Sequence, residues 1–403
     1  MKLYLSLISM LIVGWNTYAA DIYVNNSGQA GTYTTISAAI TAAVAGDKIY
    51  VSPYGVYTEN LAIAKSLTIV SAVPNTRFSV VGNVTITSAP TQEVIIIGGE
   101  FSSNINGNTG TATLASKGFV TISDCKFNNS TINDFIVSKV LFSESIGNIS
   151  VKHGKIIACL IGRIQIYDGP NSGIGDTIFI IGNKIKNYFI WDNDDNYFFV
   201  ANNKIITPDY EQTALYFTNH FYNSSINNNI VNNTLASYPY STWGVVTFDG
   251  SSNNNRSNIL LVNNIIESLN GGYSFYANAI TPLTYPKLLY NFLHNSPSNP
   301  TNFGAQFVVG NISISSPISP ALVFDELGKS TNTTYVVNQG SPALQYYDID
   351  LTRNDIGTFG GPYSIDNYWN TATGRARVYD LNMPFEIWNG STPSIKAEGT
   401  HIK

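Results

Sequence analysis

A short unit recurs through the middle of the chain, reading GNKI at 182–185, NNKI at 202–205, NNNI at 227–230 and NNII at 263–266. It begins with Asn or another small residue and ends in an aliphatic residue, and a looser form, DCKF, stands at 124–127. Successive units are separated by about 20 residues or by a longer insertion, without helical periodicity between them. Short strands repeating at this period are typical of a β-solenoid.

The aliphatic ends of these units predict one column of stacked side chains. We place in it Phe127, Ile146, Ile164, Ile185, Ile205, Ile230, Ile266 and Leu293. Equivalent residues of neighbouring coils in a solenoid stack about 4.8 Å apart, so aliphatic columns fill the interior. Asn suits the turns because it tolerates left-handed backbone and its amide can hydrogen-bond to the next Asn. Nearer the N-terminus, Ile49 and Ile69 are predicted to be partners one coil apart.

The composition agrees with stacked β-structure and excludes several classes of function. Charged residues make up 12% of the chain and apolar residues 44%, while 47 asparagines supply much of the polar character. Like charges are unfavourable at the stacking distance, which explains their scarcity. The net charge of −5 leaves no basic excess for binding nucleic acid or anionic lipid.

The first 20 residues have the pattern of a secretory signal peptide. An apolar run at 3–13 follows a positive residue, and Thr17 and Ala19 suit the −3 and −1 positions of a cleavage site. Cleavage is expected after Ala19 or Ala20, which would give a secreted or cell-surface protein. The run is too short for a transmembrane anchor, which needs about 20 apolar residues.

Residues 21–370 are predicted to form one parallel β-helix domain. An amphipathic pattern at 34–44, closed by Gly46, predicts a short N-terminal helix. This helix would cap the first coil, because an open solenoid end exposes apolar side chains and unpaired strand edges. The period fails after about residue 297, so the remainder of the domain is interpreted as a closing region. Residues 371–403 alternate in polarity and indicate terminal strands or the start of a small appended module.

Cys125 and Cys159 would enter an oxidising compartment after export. They are 34 residues apart, close to two coils, or about 9.6 Å along the solenoid. A disulfide requires a Cα separation below about 7 Å. The pattern also predicts different columns for the two residues. Two separate thiols are the favoured interpretation, with a disulfide as the alternative.

Both ends of the domain resemble known proteins. The N-terminal stretches that carry the resemblance are GTYTTI at 31–36, GDKIYV at 46–51, PYGVYTEN at 53–60 and KSLTI at 65–69. They resemble the opening coils of right-handed parallel β-helix proteins of the pectate-lyase-like superfamily, pectin methylesterases included. GSPA at 340–343 and RNDIG at 353–357 resemble the closing motif of secreted bacterial β-helix proteins. The resemblance implies a right-handed parallel β-helix and a bacterial source, in a superfamily that contains both enzymes and non-enzymatic surface proteins.

Candidate catalytic residues stand about ten positions before the column. They are Asp176, Asp195, His220 and Arg256, with His153 at the same edge. Resemblance to the uronate lyases and epimerases of the superfamily implies that Arg would neutralise a sugar carboxylate while Asp or His moves a proton. The alternative is a chance column of polar turn residues.

Asp176 also lies in GDTIFIIGN at 175–183, which resembles the strand that carries the nucleophilic Asp of pectin methylesterases. In register, however, Ile178 takes the position of that nucleophile. The Gln-Asp-Thr motif and the Arg-Trp pair of the family are also missing from the sequence. Esterase activity is therefore not expected.

Aromatic residues favour a carbohydrate-binding surface, because Tyr and Trp stack on sugar rings and donate hydrogen bonds. The candidate ligand-binding residues are Trp191, Tyr197, Tyr240 and Trp243. The acidic stretch at 191–197 has oxygen ligands suited to Ca²⁺ but lacks the Gly and terminal Glu of an EF-hand loop. It is interpreted as a solvated turn, with Ca²⁺ binding as the alternative, and no cofactor is predicted.

The sequence therefore predicts a secreted or cell-surface β-helix protein that contacts polysaccharide without catalysis. One alternative is a polysaccharide-active enzyme of the uronate lyase or epimerase type that uses Asp195, His220 and Arg256. The other is a structural or adhesive surface protein.

Overall fold

The computed structural model describes most of the chain. The described residues are 19–87, 89–107, 117–132, 135–167, 177–186, 189–192, 197–207, 214–218, 225–233, 244–249, 259–268, 273–278, 286–294, 306–314, 322–369, 376–382 and 396–401. They form a parallel β-helix, in which a complete coil passes from sheet 1 through a sharp turn into sheet 2 and then into sheet 3. The predicted fold class is confirmed.

Sheet 1 contains 13 parallel strands. They are Asp21–Val24, Lys48–Val51, Leu67–Ser71, Glu93–Ile97, Lys117–Ser123, Phe135–Leu141, Gly154–Ile157, Thr177–Ile181, Tyr197–Ala201, Ser225–Asn227, Leu260–Val262, Lys287–Leu289 and Gln306–Val309. Ile49 pairs with Ile69, as predicted. The inward column that they begin continues through Ile96, Ile122, Val140, Ile156, Ile180, Val200, Ile226, Leu261 and Leu288, each at most 1% exposed. Each buried side chain stabilises the fold by roughly 1.5–3 kcal/mol.

Sheets 2 and 3 complete each coil, and all of their strands are parallel. Sheet 2 contains Val56–Thr58, Phe78–Val81, Gly99–Phe101, Lys126–Phe127, Lys184–Ile185, Lys204–Thr207, Ile230–Asn233, Ile265–Ser268, Phe292–His294 and Ile312–Ile314. Sheet 3 contains Leu61–Ile63, Val84–Ile86, Ile105–Asn106, Ser130–Ile132, Phe189–Asp192, Leu215–Thr218, Gly244–Asp249 and Tyr273–Asn278. Glu144–Val151 and Leu160–Tyr167 run through both sheets.

The predicted capping helix is present as helix α1, Ile36–Ala42. Thr35 is its N-cap and accepts a hydrogen bond from the third backbone N–H that follows. The Glu59 carboxylate accepts the N–H groups of Ile36 and Ser37, each at 2.8 Å, and so satisfies two more free donors of the first turn. The buried face of the helix consists of Ile36, Ala39 and Ile40.

From strand Glu93–Ile97 onward, the turn between sheets 1 and 2 places one residue per coil in left-handed backbone. These residues are Gly98, Asp124, Phe142, Ala158, Gly182, Asn202, Asn228, Asn263, Tyr290 and Gly310, with φ between 49° and 69°. Gly, Asn and Asp tolerate this region, which explains their frequency at the position. The turn explains why the recurring unit begins with a small or amide residue.

In six coils the residue after the left-handed position forms a ladder of amides, which are buried in every case but the half-buried Asn311. Its members are Asn183, Asn203, Asn229, Asn264, Asn291 and Asn311. At Asn203 the side-chain Nδ2 donates to Oδ1 of Asn229 at 2.9 Å and to the backbone oxygen of Ile180 at 2.8 Å. The backbone N–H of Asn203 donates to the same Oδ1 at 2.9 Å. Each of these six coils thus uses its amide to satisfy backbone groups that the turn leaves unpaired.

The two cysteines occupy the same ladder position in earlier coils. The register runs from Cys125 through Ser143 to Cys159, so the prediction of different columns is wrong. Each thiol replaces an amide as donor, and Cys159 Sγ donates to the backbone oxygen of Val140 at 3.3 Å. Both cysteines are buried and free, which confirms the prediction of two separate thiols.

The predicted aliphatic column is correct at five of its eight positions. The register aligns Phe127, Ser145, Ile161, Ile185, Ile205, Val231, Ile266 and Leu293. Ile146 is 70% exposed and follows a register shift after Ser145, while Ile164 lies in the part of its strand that belongs to sheet 3. Ile230 is one residue away from the column.

Residues 322–369 form a C-terminal strap along the outside of the solenoid. Val336 and Ile356 of the strap pack on Ile230, Ile265 and Phe292, which are outer-face residues of sheet 2. The segment predicted to close the solenoid therefore covers its side. The strap contains a 3₁₀ turn, Leu344–Tyr346, and ends in helix α2, Asp366–Trp369.

The strap crosses the turn between sheets 1 and 2 by hydrogen bonding to the left-handed residues. Asn202 Nδ2 donates to the backbone oxygens of Thr358 and Gly360, at 2.9 and 2.7 Å. Beyond this crossing, Tyr368 packs on the outer face of sheet 1 with Ile181. The last described segments, Ala376–Asn382 and Lys396–His401, form a separate antiparallel pair. No helix in the described part of the chain is long and apolar enough to cross a membrane.

Candidate functional site

Most of the sequence-predicted site residues lie outside the described residues. This applies to Asp176, Asp195, His220, Arg256, Tyr240 and Trp243. Trp191 and Tyr197 are described as strand residues, and the register aligns Trp191 with the buried Ile166 and Phe217. Tyr197 pairs with Thr177 in sheet 1. These assignments stay predictions, and of the same edge only His153 is described, as a buried residue.

The position that corresponds to the esterase nucleophile is part of the core. Ile178 is fully buried in sheet 1 and pairs with Phe198, which is 1% exposed. A nucleophile must reach substrate in an open cleft, and this position faces the packed interior.

A groove of about 540 Å³ lies between the outer face of sheet 2 and the strap. Its lining residues are Leu160, Lys184, Ile185, Lys186, Lys204, Ile206, Glu326 and Trp369. We call this feature the lysine groove. Three lysines converge on it although the whole chain carries a net charge of −5. Its size is within the range of about 300–1,000 Å³ that is usual for small-molecule sites.

The repeat itself places two of these lysines side by side. Lys184 and Lys204 are register partners on adjacent coils, each directly after a ladder asparagine. The next residues, Ile185 and Ile205, face the core, so alternation along the strand turns the lysines outward. Two ammonium groups on adjacent strands repel one another and require acceptors nearby.

Lys184 lies between a carboxylate and an aromatic ring. Its Nζ is 2.6 Å from Oε1 of Glu326 and 4.4 Å from the ring centroid of Trp369. The Trp369 ring is held in place because its Nε1 donates to the backbone oxygen of Gly182 at 2.6 Å. The hydrogen bond from Lys184 lowers the pKa of Glu326. The Glu326 side chain is nevertheless 88% exposed, so water and solutes reach the ion pair.

Lys204 anchors the strap loop next to the groove. Its Nζ donates to the backbone oxygens of Asp325 and Glu326, at 2.9 and 2.7 Å. Burial lowers the pKa of Lys204, and Lys184 adds to this effect while the two acidic residues oppose it. Lys186, by contrast, is exposed at the edge of the groove. The groove can therefore hold an anionic group beside the face of an aromatic ring.

A second aromatic surface lies near the N-terminal cap. Tyr23 and Tyr50 stack with ring centroids 5.2 Å apart and an interplanar angle of 13°. Lys48 Nζ lies 4.7 Å from the Tyr50 centroid, and Tyr23 is 50% exposed. The sequence signal was a Tyr at the same position of two successive coils, a signal weaker than the aromatic clusters in the insertions.

The described residues contain no group of three or more His, Cys, Asp or Glu side chains that could hold a metal ion. One pair of a carboxylate and an imidazole does occur, near the C-terminal end of sheet 2. There His294 Nδ1 lies 3.5 Å from Oε1 of the buried Glu267.

Comparison with known proteins gives few matches. No family model matches the chain, and no curated protein matches it either. A solved structure described as "Rhamnogalacturonan lyase" is 12% identical in sequence, covers 79% of this chain and 96% of its own, and has a TM-score of 0.36. A likeness this weak carries no argument about activity.

Proposed function

We propose that this protein is a secreted or cell-surface β-helix that binds an acidic polysaccharide in the lysine groove without cleaving it. The observation that carries the proposal is the position of Lys184 between the Glu326 carboxylate and the Trp369 ring. In the groove, the Lys184 ammonium already contacts a carboxylate and an aromatic face at the same time. A uronate residue presents the same two features, a carboxylate and a flat apolar ring face.

The physical chemistry of the groove fits such a ligand. Charge-assisted hydrogen bonds from lysine to carboxylate are about twice as strong as neutral ones. Trp stacks on sugar rings, and the apolar side chains of Leu160 and Ile206 line the remaining wall. Lys184 and Lys204 belong to successive coils, so the line that joins them follows the solenoid axis, along which an extended polymer can lie.

The catalytic alternative is a uronate lyase or epimerase, and the lowered pKa of Lys204 favours it. A lysine whose pKa is lowered can act as a general base. The Nζ of Lys204, however, donates two hydrogen bonds to backbone oxygens of the strap and is committed to holding it. The contacts therefore support binding over proton abstraction. Asp195, His220 and Arg256 stay the predicted catalytic residues of this alternative.

The test compares binding of the purified protein to polygalacturonate and to neutral dextran by affinity electrophoresis and calorimetry. We expect binding to polygalacturonate alone, weakened about tenfold in Lys186→Ala, which corresponds to about 1.4 kcal/mol. Lys186 is suitable because it is exposed. Lys287→Ala, which removes an exposed lysine of sheet 1, is the matched control and should bind normally.

The same samples are followed by ultraviolet absorbance. Accumulation of unsaturated product that is lost in Arg256→Ala would replace the binding proposal with the lyase. Equal binding of both polymers, or an unchanged affinity in Lys186→Ala, would remove the groove as the site. If neither polymer binds, the weight moves to a structural or adhesive role.

A further inference from the structure

Asp47 is a buried carboxylate beneath the N-terminal end of the solenoid, with 2% of its surface exposed. Its Oδ2 accepts the backbone N–H of Val44 at 2.8 Å, two residues after the end of the capping helix. Its Oδ1 accepts the backbone N–H of Ala20, also at 2.8 Å. The backbone oxygen of Ala20 in turn accepts the N–H of Lys48 at 2.9 Å. Among the described residues, which begin at Ala19, Ala20 is therefore the first that is joined to the fold through both of its backbone groups.

Ala19 and Ala20 are exposed and directly precede the first strand, which begins at Asp21. The sequence alone left cleavage after Ala19 and cleavage after Ala20 as two possibilities. Cleavage after Ala20 would remove the donor to Asp47 Oδ1 and the acceptor for Lys48 N–H. Losing a partner of a buried group costs about 1–3 kcal/mol. Cleavage after Ala19 keeps both contacts.

We propose that the Ala19–Ala20 bond is the processing site of this protein, and that the α-ammonium group released on Ala20 binds Asp47. Hydrolysis by a signal-processing peptidase breaks the C–N bond, with water supplying the hydroxyl of the new Ala19 carboxylate. The freed amine takes up a proton, because an α-amino group has a pKa of about 7.7–8.0. The neutral amide donor of the precursor becomes a cation at the same atom.

The charge strengthens a contact that is already in place. The contact in the precursor already has an ionised acceptor, and processing adds a positive charge on the donor, so the attraction between two opposite charges is added to the hydrogen bond. The Asp47 carboxylate is shielded from water, so the gain is screened less than at the surface. Processing therefore stabilises the first coil, and the N-terminal cap of the exported chain is more stable against unfolding than that of its precursor.

The processing site is tested by exporting the full chain from a bacterial host and determining the mass and N-terminal sequence of the product. A product that begins at Ala20 is expected. A product that begins at Asp21 or elsewhere, or one that keeps its leader, would overturn the assignment.

The ammonium contact is tested with two chains released from a cleavable fusion, one beginning at Ala20 and one with a single Gly ahead of it. The second chain keeps the amide donor and moves the charge by one residue. We expect the first to melt about 2 °C higher at pH 7. The difference should fade as the pH rises through the pKa of the paired amine, because the deprotonated amine carries no charge.

Asp47→Asn should abolish the difference between the two chains, while the control Asp21→Asn, in the neighbouring exposed carboxylate, should preserve it. A difference that persists in Asp47→Asn, or equal melting of the two wild-type chains, would show that the ammonium does not bind Asp47. Neither experiment depends on the ligand of the lysine groove.

Discussion

Glu326 Oε1 lies 2.6 Å from Lys184 Nζ, although the two residues are 142 positions apart in the chain. The strap thus delivers a carboxylate to a lysine of the repeat, within the groove that we assign to acidic sugars. Because Glu326 is 88% exposed, its carboxylate can give way to one from solution. The chain supplies an internal competitor for its own ligand.

Glu326→Gln should strengthen binding of polygalacturonate. The amide keeps the shape of the side chain but releases the charge of Lys184 for the ligand. We expect a gain of about three- to tenfold in affinity, measured by calorimetry at low salt, where ion pairs are screened least. The matched control is Glu93→Gln, which removes an exposed carboxylate from the first residue of a sheet 1 strand. An unchanged or lower affinity in Glu326→Gln alone would contradict the competition.

Asn203→Leu should destabilise the solenoid severely. The substitution removes the acceptor of the Asn183 amide and the donors to Asn229 and Ile180, all buried. Leaving such groups unpaired costs about 1–3 kcal/mol each, so the loss should exceed about 3 kcal/mol in urea unfolding. The control Asn128→Ala removes one exposed hydrogen bond and should cost less than about 1 kcal/mol. Similar losses in the two variants would show that the ladder is not a main source of stability.

Both thiols should be unreactive in the folded protein. Burial raises the pKa values of Cys125 and Cys159 to about 12, so almost no thiolate is present at neutral pH. A chromogenic disulfide reagent should label neither cysteine under native conditions and both after unfolding. Rapid labelling of the native protein, or the absence of titratable thiols after unfolding without reductant, would contradict the buried, unbridged state.

Cys159→Asn should extend the amide ladder by one coil. The thiol already donates to the Val140 backbone oxygen, and its own N–H donates to Asn183 Oδ1 at 2.9 Å, as a ladder asparagine would. We expect Cys159→Asn to be more stable than Cys159→Ala by about 1 kcal/mol, the net value of a typical hydrogen bond. A lower unfolding midpoint for Cys159→Asn than for Cys159→Ala would mean that the position cannot accommodate the larger amide.

The sequence predicted the repeat but not its register at every coil. Ile49 and Ile69 were paired correctly because a single 20-residue step without insertion separates them. At Ile230 the prediction failed by one residue, because Val231 is also aliphatic and only the outward packing against the strap distinguishes them. Local periodicity carries no information about that distant segment.

The lysine groove was missed for the same reason. Lys184 and Lys204 each stand inside the recurring unit, where they look like ordinary solvent-facing residues of a strand. The two lysines line a groove only because Glu326 and Trp369 lie opposite them, and these two residues come from the strap, which has no repeat pattern. The ligand-binding prediction was based instead on aromatic residues of the insertions, which are more conspicuous in the sequence.

The packing of the strap on the solenoid should be more stable at mildly acidic pH than at neutral pH. Burial raises the pKa of Asp348 from 3.8 to about 6, although its carboxylate accepts the backbone N–H groups of Gly361 and Asp355. Because the folded state binds this proton more tightly than the unfolded state, its contribution to stability is full below about pH 3.8 and is lost as the pH rises through about 6. Proteolysis of the strap should therefore speed up from pH 5 to pH 7.

Asp348→Asn should flatten that profile, because the amide keeps an acceptor oxygen but does not titrate. Asp355, whose pKa is also raised by burial, should leave a smaller residual slope. The control is Asp366→Asn, since Asp366 is an exposed acid at the first residue of helix α2 and its removal should leave the slope between pH 5 and 7 intact. If wild type and Asp348→Asn show the same pH dependence, the titration of Asp348 is not what couples the strap to pH.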